Sequence, residues 1–227
     1  MSNDDPGTPQ PEGPRRRPPH LDTLSGTIEL ELPEFDAPPA EPFALLQRWI
    51  DDAVRVGVSE PFSVALATAD GAGRPSNRTV LVKALDASGL LFVTSGGSAK
   101  GMAMAANPYA AAVAYWRETR QQLRVSGPVQ RLSDDESDAM FAMRPIPAQA
   151  SAVASRQSTP LDDYAALREQ ATRLAKSRTP LPRPDAWYGY RIIAESIEFW
   201  HGTTDRLHRR LVYTRVGDGW SHVRLHP

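Results

Sequence analysis

The sequence predicts a mainly β fold with flanking helices, closed as a barrel or packed as a sandwich. β-rich apolar runs recur along the chain, and short Asp/Gly turns join successive runs. Such turns connect antiparallel neighbours, whereas a parallel sheet needs long crossovers. Segments of helical period are few, without the regular strand–helix alternation of a doubly wound sheet. The count is about seven or eight strands with three or four helices.

Composition bounds the rest. The 227 residues suffice for a sizeable core, in one large domain or two small ones. With no Cys, the chain offers no disulfide scaffold, thiolate zinc site, iron–sulfur cluster or thiol nucleophile. Lys and Arg total 26 against 27 Asp and Glu, so there is no electrostatic footprint for nucleic acid. Ten of the 21 Pro fall in the first 42 residues. Residues 1–21, with the Arg15–Arg16–Arg17 run, hold no apolar stretch and read as a disordered tail without a secretory h-region. Residues 22–227 read as a single domain. No run approaches the roughly 18 apolar residues of a membrane span, so a soluble, cytoplasmic protein with no membrane contact is expected.

In chain order, Leu46, Trp49, Ile50, Ala53 and Val54 recur at helical spacing between Pro42 and Gly57. The period then changes to strands at Phe62–Ala69, Arg78–Leu85 and Leu90–Thr94, separated by turns at Asp70–Gly73 and Asp86–Gly89. Ser98–Asn107 is a short Ala/Met-rich helix stopped by Pro108, and Ala110–Trp116 and Gln122–Arg131 are further strands. Ser133 and Glu136 form a capping box for a helix through about Met143. Leu161–Lys176 is another helix, and Trp187–Trp200, Leu207–Arg215 and Trp220–Leu225 are closing strands.

Four segments carry candidate chemistry. In Leu90–Gly101 (LLFVTSGGSAKG) a strand ends in a Gly turn, Ser98 caps the next helix and Lys100 lies in its first turn. Helix N-termini attract phosphate, and a cation there opposes the dipole unless it has an anion to bind. An ordinary capped helix accounts for the same residues. In Arg78–Lys83 (RTVLVK) two cations bound a strand at odd spacing and so point to opposite faces. Both serve one site only if the strand bends or if one faces a second subunit; two solvated strand ends are the alternative. In Arg117–Ser126 (RETRQQLRVS), Leu123 and Val125 alternate with Gln122, Arg124 and Ser126. Gln122 is then either a reader of a polar ring edge or part of a half-solvated strand. In Ile197–Arg210 (IEFWHGTTDRLHRR), Trp200 ends a strand and Arg206, His208 and Arg210 follow at alternate positions. On one strand face these three would repel one another unless an anion sits between them, and His208 suits acid–base work near neutral pH. The five His show no metal-ligand spacing, and no G-x-S-x-G elbow or dinucleotide fingerprint is present.

Together RTVLVK, LLFVTSGGSAKG, RQQ, SRQS at Ser155–Ser158, IEFW, DRLHRR and the terminal RLHP resemble the pyridoxamine 5′-phosphate oxidase family, over about residues 24–227. The resemblance implies an FMN-binding split β-barrel and a homodimer with FMN at its interface. On it, Arg78, Thr79, Val80, Leu81, Val82, Lys83, Val93, Thr94, Lys100, Gln122, Gln157, Ser158, Trp200 and Arg210 match FMN-binding positions. Lys83, Arg144, Arg206 and His208 match substrate-binding ones, with Arg206 and His208 over the reacting ring. Three residues depart from the pattern: Met140 stands for a Tyr and Ala148 for a Ser at substrate-phosphate positions, and Ala99 for an Arg near the FMN phosphate.

LSGTIELELPEF near the start, YWRETRQQ at Tyr115–Gln122 and PLPRP at Pro180–Pro184 resemble, within that family, the FMN-dependent oxidases of phenazine biosynthesis. That branch implies oxidation of a partly reduced phenazine carboxylic acid, with hydride passing to flavin N5 and dioxygen reoxidising the flavin to give hydrogen peroxide. A pyridoxamine/pyridoxine 5′-phosphate oxidase is the alternative. A flavin- or haem-binding carrier or sensor and a deazaflavin-dependent reductase are further readings; the Arg206–His208 pair argues against the last.

Overall fold

The computed structural model describes residues 24–227, so the expected tail over residues 1–21 lies outside the described residues. A short 3-10 turn at Pro33–Phe35 leads to helix α1 (Pro42–Arg55). Strands β1 (Ser63–Ala69), β2 (Pro75–Asp86) and β3 (Gly89–Ser95) precede α2 (Ala99–Ala106), then β4 (Tyr109–Trp116) and β5 (Gln121–Arg131). Helices α3 (Asp134–Ala142), α4 (Ile146–Ala154) and α5 (Tyr164–Leu174) follow, and β6 (Trp187–Ile192), β7 (Ser196–His201), β8 (Arg209–Val216) and β9 (Gly219–Leu225) close the chain.

Every ladder is antiparallel. The order β4-β1-β2-β3-β6-β5, with β5 pairing back to β4, closes a six-stranded barrel, and β7, β8 and β9 extend the sheet from β5. Strand β5 makes this split possible. Its first half, Gln121–Ser126, pairs with β7, while Val129–Arg131 pairs with β6. Gly127 lies at the changeover, where a Cβ would stand 1.8 Å from the Ile193 carbonyl oxygen. Only Gly lets the β6–β7 connection cross there.

Helix α1 covers the barrel because Leu45, Leu46, Trp49, Ile50 and Ala53 share one buried face. Trp49 is fully buried and packs edge-on to Phe199, with ring centroids 5.0 Å apart. Its indole N–H donates to Glu34, a carboxylate that also binds Arg48. Among the described residues, no helix is long and apolar enough to cross a membrane.

The expected class holds, with local corrections. Val54 is 52 % exposed, beyond the edge of the buried stripe of α1. The single strand expected over Trp187–Trp200 is two, since the chain leaves the β6 ladder at Ile192 and joins β5 on the β7 side. Helix α4 was not expected. The strand expected from Leu207 begins at Arg209; Arg206 instead sits in a turn with φ +65°, its N–H donating to the Thr203 carbonyl. Arg206, His208 and Arg210 therefore do not share a strand face, and Leu207 is 68 % exposed while Leu211 is buried.

Candidate functional site

An open cleft of about 1160 Å³ lies between β2, β3, the start of α2 and helix α4. Arg78, Thr79, Val80, Leu81, Lys83, Val93, Thr94, Lys100, Arg144, Gln157 and Ser158 all line it. Val82 does not; it is 6 % exposed and faces the barrel core. Arg78 and Lys83 alternate to opposite faces of β2, and both still line the cleft because it takes in residues of both parities, Thr79, Val80 and Leu81 among them. The β2–β3 register shifts between Val82 and Ala84, leaving Lys83 as the extra residue. Val82 and Leu85, at odd spacing, consequently both face the barrel interior.

The start of α2 builds a cationic end. Ser98 caps the helix, its hydroxyl accepting from the Gly101 N–H at 3.2 Å. Gly101 lets the helix lie against the preceding turn, since a Cβ would come 2.4 Å from the Ser95 carbonyl oxygen. Lys100 is only 8 % exposed, and its Nζ donates to Thr94 Oγ1 at 3.1 Å. Thr94 in turn donates to Gln157 Oε1 at 3.1 Å, which ties the SRQS segment to the same point. Arg78 donates from Nη1 to the Leu66 carbonyl (3.1 Å) and Thr68 Oγ1 (2.8 Å), and from Nη2 to Ser76 Oγ. Burial, then the nearby Arg78 charge, lowers the Lys100 pKa, and burial lowers that of Arg78. Neither cation has a carboxylate partner among the described residues. A buried Lys100 and a half-buried Arg78 beside helix N–H groups are like charges that an anion such as a phosphate stabilises.

The opposite wall is α4. Gln149 is fully buried; it donates to the Ala142 and Arg144 carbonyls and accepts from the Leu181 N–H. That fixes Arg144, whose guanidinium donates to the Ala148 carbonyl at 3.0 Å and lies 5.1 Å over the Trp187 ring. Burial lowers its pKa. Ala148, Ser151, Ala152 and Ser155 give this wall a low, small-residue surface. Met140 lies elsewhere, its sulfur against Gly189 of β6 rather than in the cleft. Five cations (Arg78, Lys83, Lys100, Arg144 and Arg156) line the cleft against one carboxylate, Asp185.

Gln122, Trp200, Arg206, His208 and Arg210 do not line that cleft; they gather on the β5–β7–β8 face. Gln122, Trp200 and Arg210 are register neighbours across the three strands. The His208 ring packs on Trp200 with centroids 4.9 Å apart, and its Nδ1 accepts from the Thr203 N–H at 3.2 Å. This holds the tautomer whose proton is on Nε2. Arg210 donates to Glu198 Oε1 and Arg124 to Glu198 Oε2, both at 2.7 Å. The anion that sequence spacing demands beside Arg210 is therefore Glu198, readable in IEFW as an acid between two buried residues. Arg206 makes no side-chain ion pair among the described residues. On the adjoining buried side, Arg120 Nε, both Gln121 amide atoms, His201 Nδ1 and Thr203 Oγ1 lack hydrogen-bond partners among the described residues.

Residues 50–177 match the family model for pyridoxamine 5′-phosphate oxidase, and residues 187–227 match that for the pyridoxine 5′-phosphate oxidase C-terminal dimerisation region. A dihydrophenazinedicarboxylate synthase of Pseudomonas chlororaphis is 42 % identical over 206 residues, covering 91 % of this chain and 93 % of the relative. A pyridoxine/pyridoxamine 5′-phosphate oxidase of Rubrobacter xylanophilus is 45 % identical over 194 residues, covering 85 % and 89 %. Among solved structures, PhzG from Burkholderia lata 383 in complex with tetrahydrophenazine-1-carboxylic acid superposes with a TM-score of 0.85 at 40 % identity, covering 89 % of this chain and 100 % of that one. A split barrel with its cationic cleft at the start of α2, matched along both family regions, establishes that the chain belongs to the pyridoxamine 5′-phosphate oxidase family.

Proposed function

We propose that the protein is an FMN-dependent oxidase of a partly reduced phenazine carboxylic acid. The observation that carries the reading is the cleft's chemistry. A buried Lys100 beside a half-buried Arg78, neither with a carboxylate partner among the described residues, suits the FMN phosphate at a helix N-terminus, and the low wall of α4 suits a flat ring. The relatives support the substrate class: one is named for a dihydrophenazinedicarboxylate, and PhzG from Burkholderia lata holds a tetrahydrophenazine carboxylic acid.

Bound FMN supplies the hydride acceptor, and its reoxidation by dioxygen gives hydrogen peroxide. The chain's own residues orient and neutralise. Arg78, Lys100 and Thr94 hold the phosphate end, with Gln157 and Ser158 beside them. Trp200, Gln122 and Arg210 present a ring-sized polar and aromatic face; Trp200 and Arg210 lie within residues 187–227, the segment matching the dimerisation region. Two copies would bring this face of one chain against the cleft of the other, so a homodimer completes the site. Arg206 binds the substrate carboxylate, and His208, fixed as a donor at Nε2, positions the ring or moves a proton.

A pyridoxamine/pyridoxine 5′-phosphate oxidase is the second reading, favoured by Lys83 and Arg144 standing together in the cleft. Oxygen uptake distinguishes them: purified protein is given a dihydrophenazine carboxylate and, separately, pyridoxine 5′-phosphate. Turnover of the phenazine alone is expected; turnover of the B6 substrate alone reverses the assignment.

A further inference from the structure

We propose that Arg156 is a third cation for the FMN phosphate, acting beside Lys100 and Arg78. The inference rests on the flavin reading above. Its geometric basis is the chain of hydrogen bonds from Lys100 Nζ to Thr94 Oγ1 and from Thr94 to Gln157 Oε1, each 3.1 Å. These bonds pin the residue next to Arg156 onto the cation pair, and adjacent α-carbons are only about 3.8 Å apart. The Arg156 backbone is fixed as well. Its carbonyl accepts from both the Thr159 N–H (3.2 Å) and the Thr159 hydroxyl (2.9 Å), and Ser158 adopts φ +72° in the tight turn between them.

The side chain is uncommitted by contrast. It lines the cleft and makes no hydrogen bond or ion pair among the described residues. The two inner cations have fewer donors to offer. Both Nη1 hydrogens of Arg78 and one on Nη2 are spent on Leu66, Thr68 and Ser76, and Lys100 has given one to Thr94. Ala99, which lines the cleft one position before Lys100, contributes no charge. A phosphate monoester carries about −1.5 to −2 charge and three strong acceptor oxygens. The free five-donor fork of Arg156 supplies the donors that Lys100 and Arg78 have already committed. The order of roles follows from burial: Lys100 and Arg78 provide fixed charge at the floor, and Arg156 closes over the phosphate from the solvent side.

The experiment titrates apoprotein with FMN and, separately, with riboflavin, which has the same ring and no phosphate, following flavin fluorescence at two salt concentrations. Arg156→Ala should weaken FMN about tenfold, the value of one charge-assisted contact at an exposed position. Riboflavin binding should be unchanged and the salt dependence of FMN binding should flatten. Arg156→Glu should weaken FMN further, again sparing riboflavin. Unchanged FMN affinity in both variants, or equal losses for FMN and riboflavin, overturns the assignment. Wild-type apoprotein that binds neither flavin overturns the flavin reading, and this inference with it.

Discussion

Replacing Lys100 with Met separates a ligand-binding role from a structural one, because the two predict opposite signs. Met keeps most of the apolar stem and removes the charge. In the free protein that charge is 8 % exposed, has no carboxylate partner among the described residues, and faces the Arg78 charge. Its one hydrogen bond is to Thr94 Oγ1, which still reaches Gln157 when Lys100 is gone, so no polar atom is orphaned. Apo Lys100→Met should therefore melt at or above the wild-type temperature. Binding should move the other way: a hydrogen bond to a charged group contributes about 1.5–3 kcal/mol, so FMN should weaken about tenfold to 150-fold. The pH profile gives a second reading. Burial and Arg78 lower the Lys100 pKa, and phosphate binds the protonated form, so wild-type FMN affinity falls as pH rises through that lowered value. Lys100→Met loses this dependence. Differential scanning calorimetry of the apoprotein and flavin titration across alkaline pH test both signs. An apo variant that melts lower than wild type yet binds FMN normally would refute the reasoning and make Lys100 a structural cation.

Other consequences follow for the β5–β7–β8 face. Arg206→Ala should raise KM strongly with FMN still bound; loss of flavin from the purified variant would assign Arg206 to the cofactor. His208→Asn should lower kcat with little change in FMN affinity, and wild-type turnover would remove it from the mechanism. Glu198→Gln leaves Arg124 and Arg210 without their shared carboxylate, and because both guanidiniums are partly solvated the cost in urea unfolding should be about 1–2 kcal/mol. Burial, then the Arg120 charge, lowers the His201 pKa below 6.5. The fold thus binds fewer protons than the unfolded chain. Stability is complete above the unfolded value and declines as pH falls below it, so melting temperature should drop on acidification and His201→Gln should flatten that slope.

The barrel was legible because its strands are short, apolar and joined by turns whose residues announce themselves. Helix α4 was not. Its sequence, IPAQASAVA, has no apolar stripe, and the residues it buries are Gln149 and Ala150, so helical period leaves no trace in hydropathy. Its job is to offer a low wall and hold Arg144 through Gln149, and neither needs a hydrophobic face. The bend at Lys83 was equally hidden, since a bulge changes pairing without changing residue type.

The same logic sharpens the reading of DRLHRR. Three cations in alternation on one strand face require one bound anion, yet the fold dismantles that trio residue by residue. Arg210 is paired within the chain to Glu198, which it shares with Arg124, and His208 accepts the Thr203 N–H at Nδ1. Asp205 accepts from the Leu207 N–H, and Arg206 takes a left-handed turn that breaks the strand alternation. Left-handed backbone is costly for a residue with a Cβ, at about 1–2 kcal/mol, and here it places Arg206 in the turn before β8 rather than on the strand. Of the three, Arg206 alone keeps an uncommitted charge among the described residues. A substrate carboxylate approaching this face meets Arg206 as its unpaired cation, beside two guanidiniums that share Glu198, while the cofactor phosphate meets several cations in the cleft. That separation lets the phosphate end set affinity for the cofactor and leaves Arg206 to select the substrate, so mutations at the two ends should affect FMN binding and KM independently.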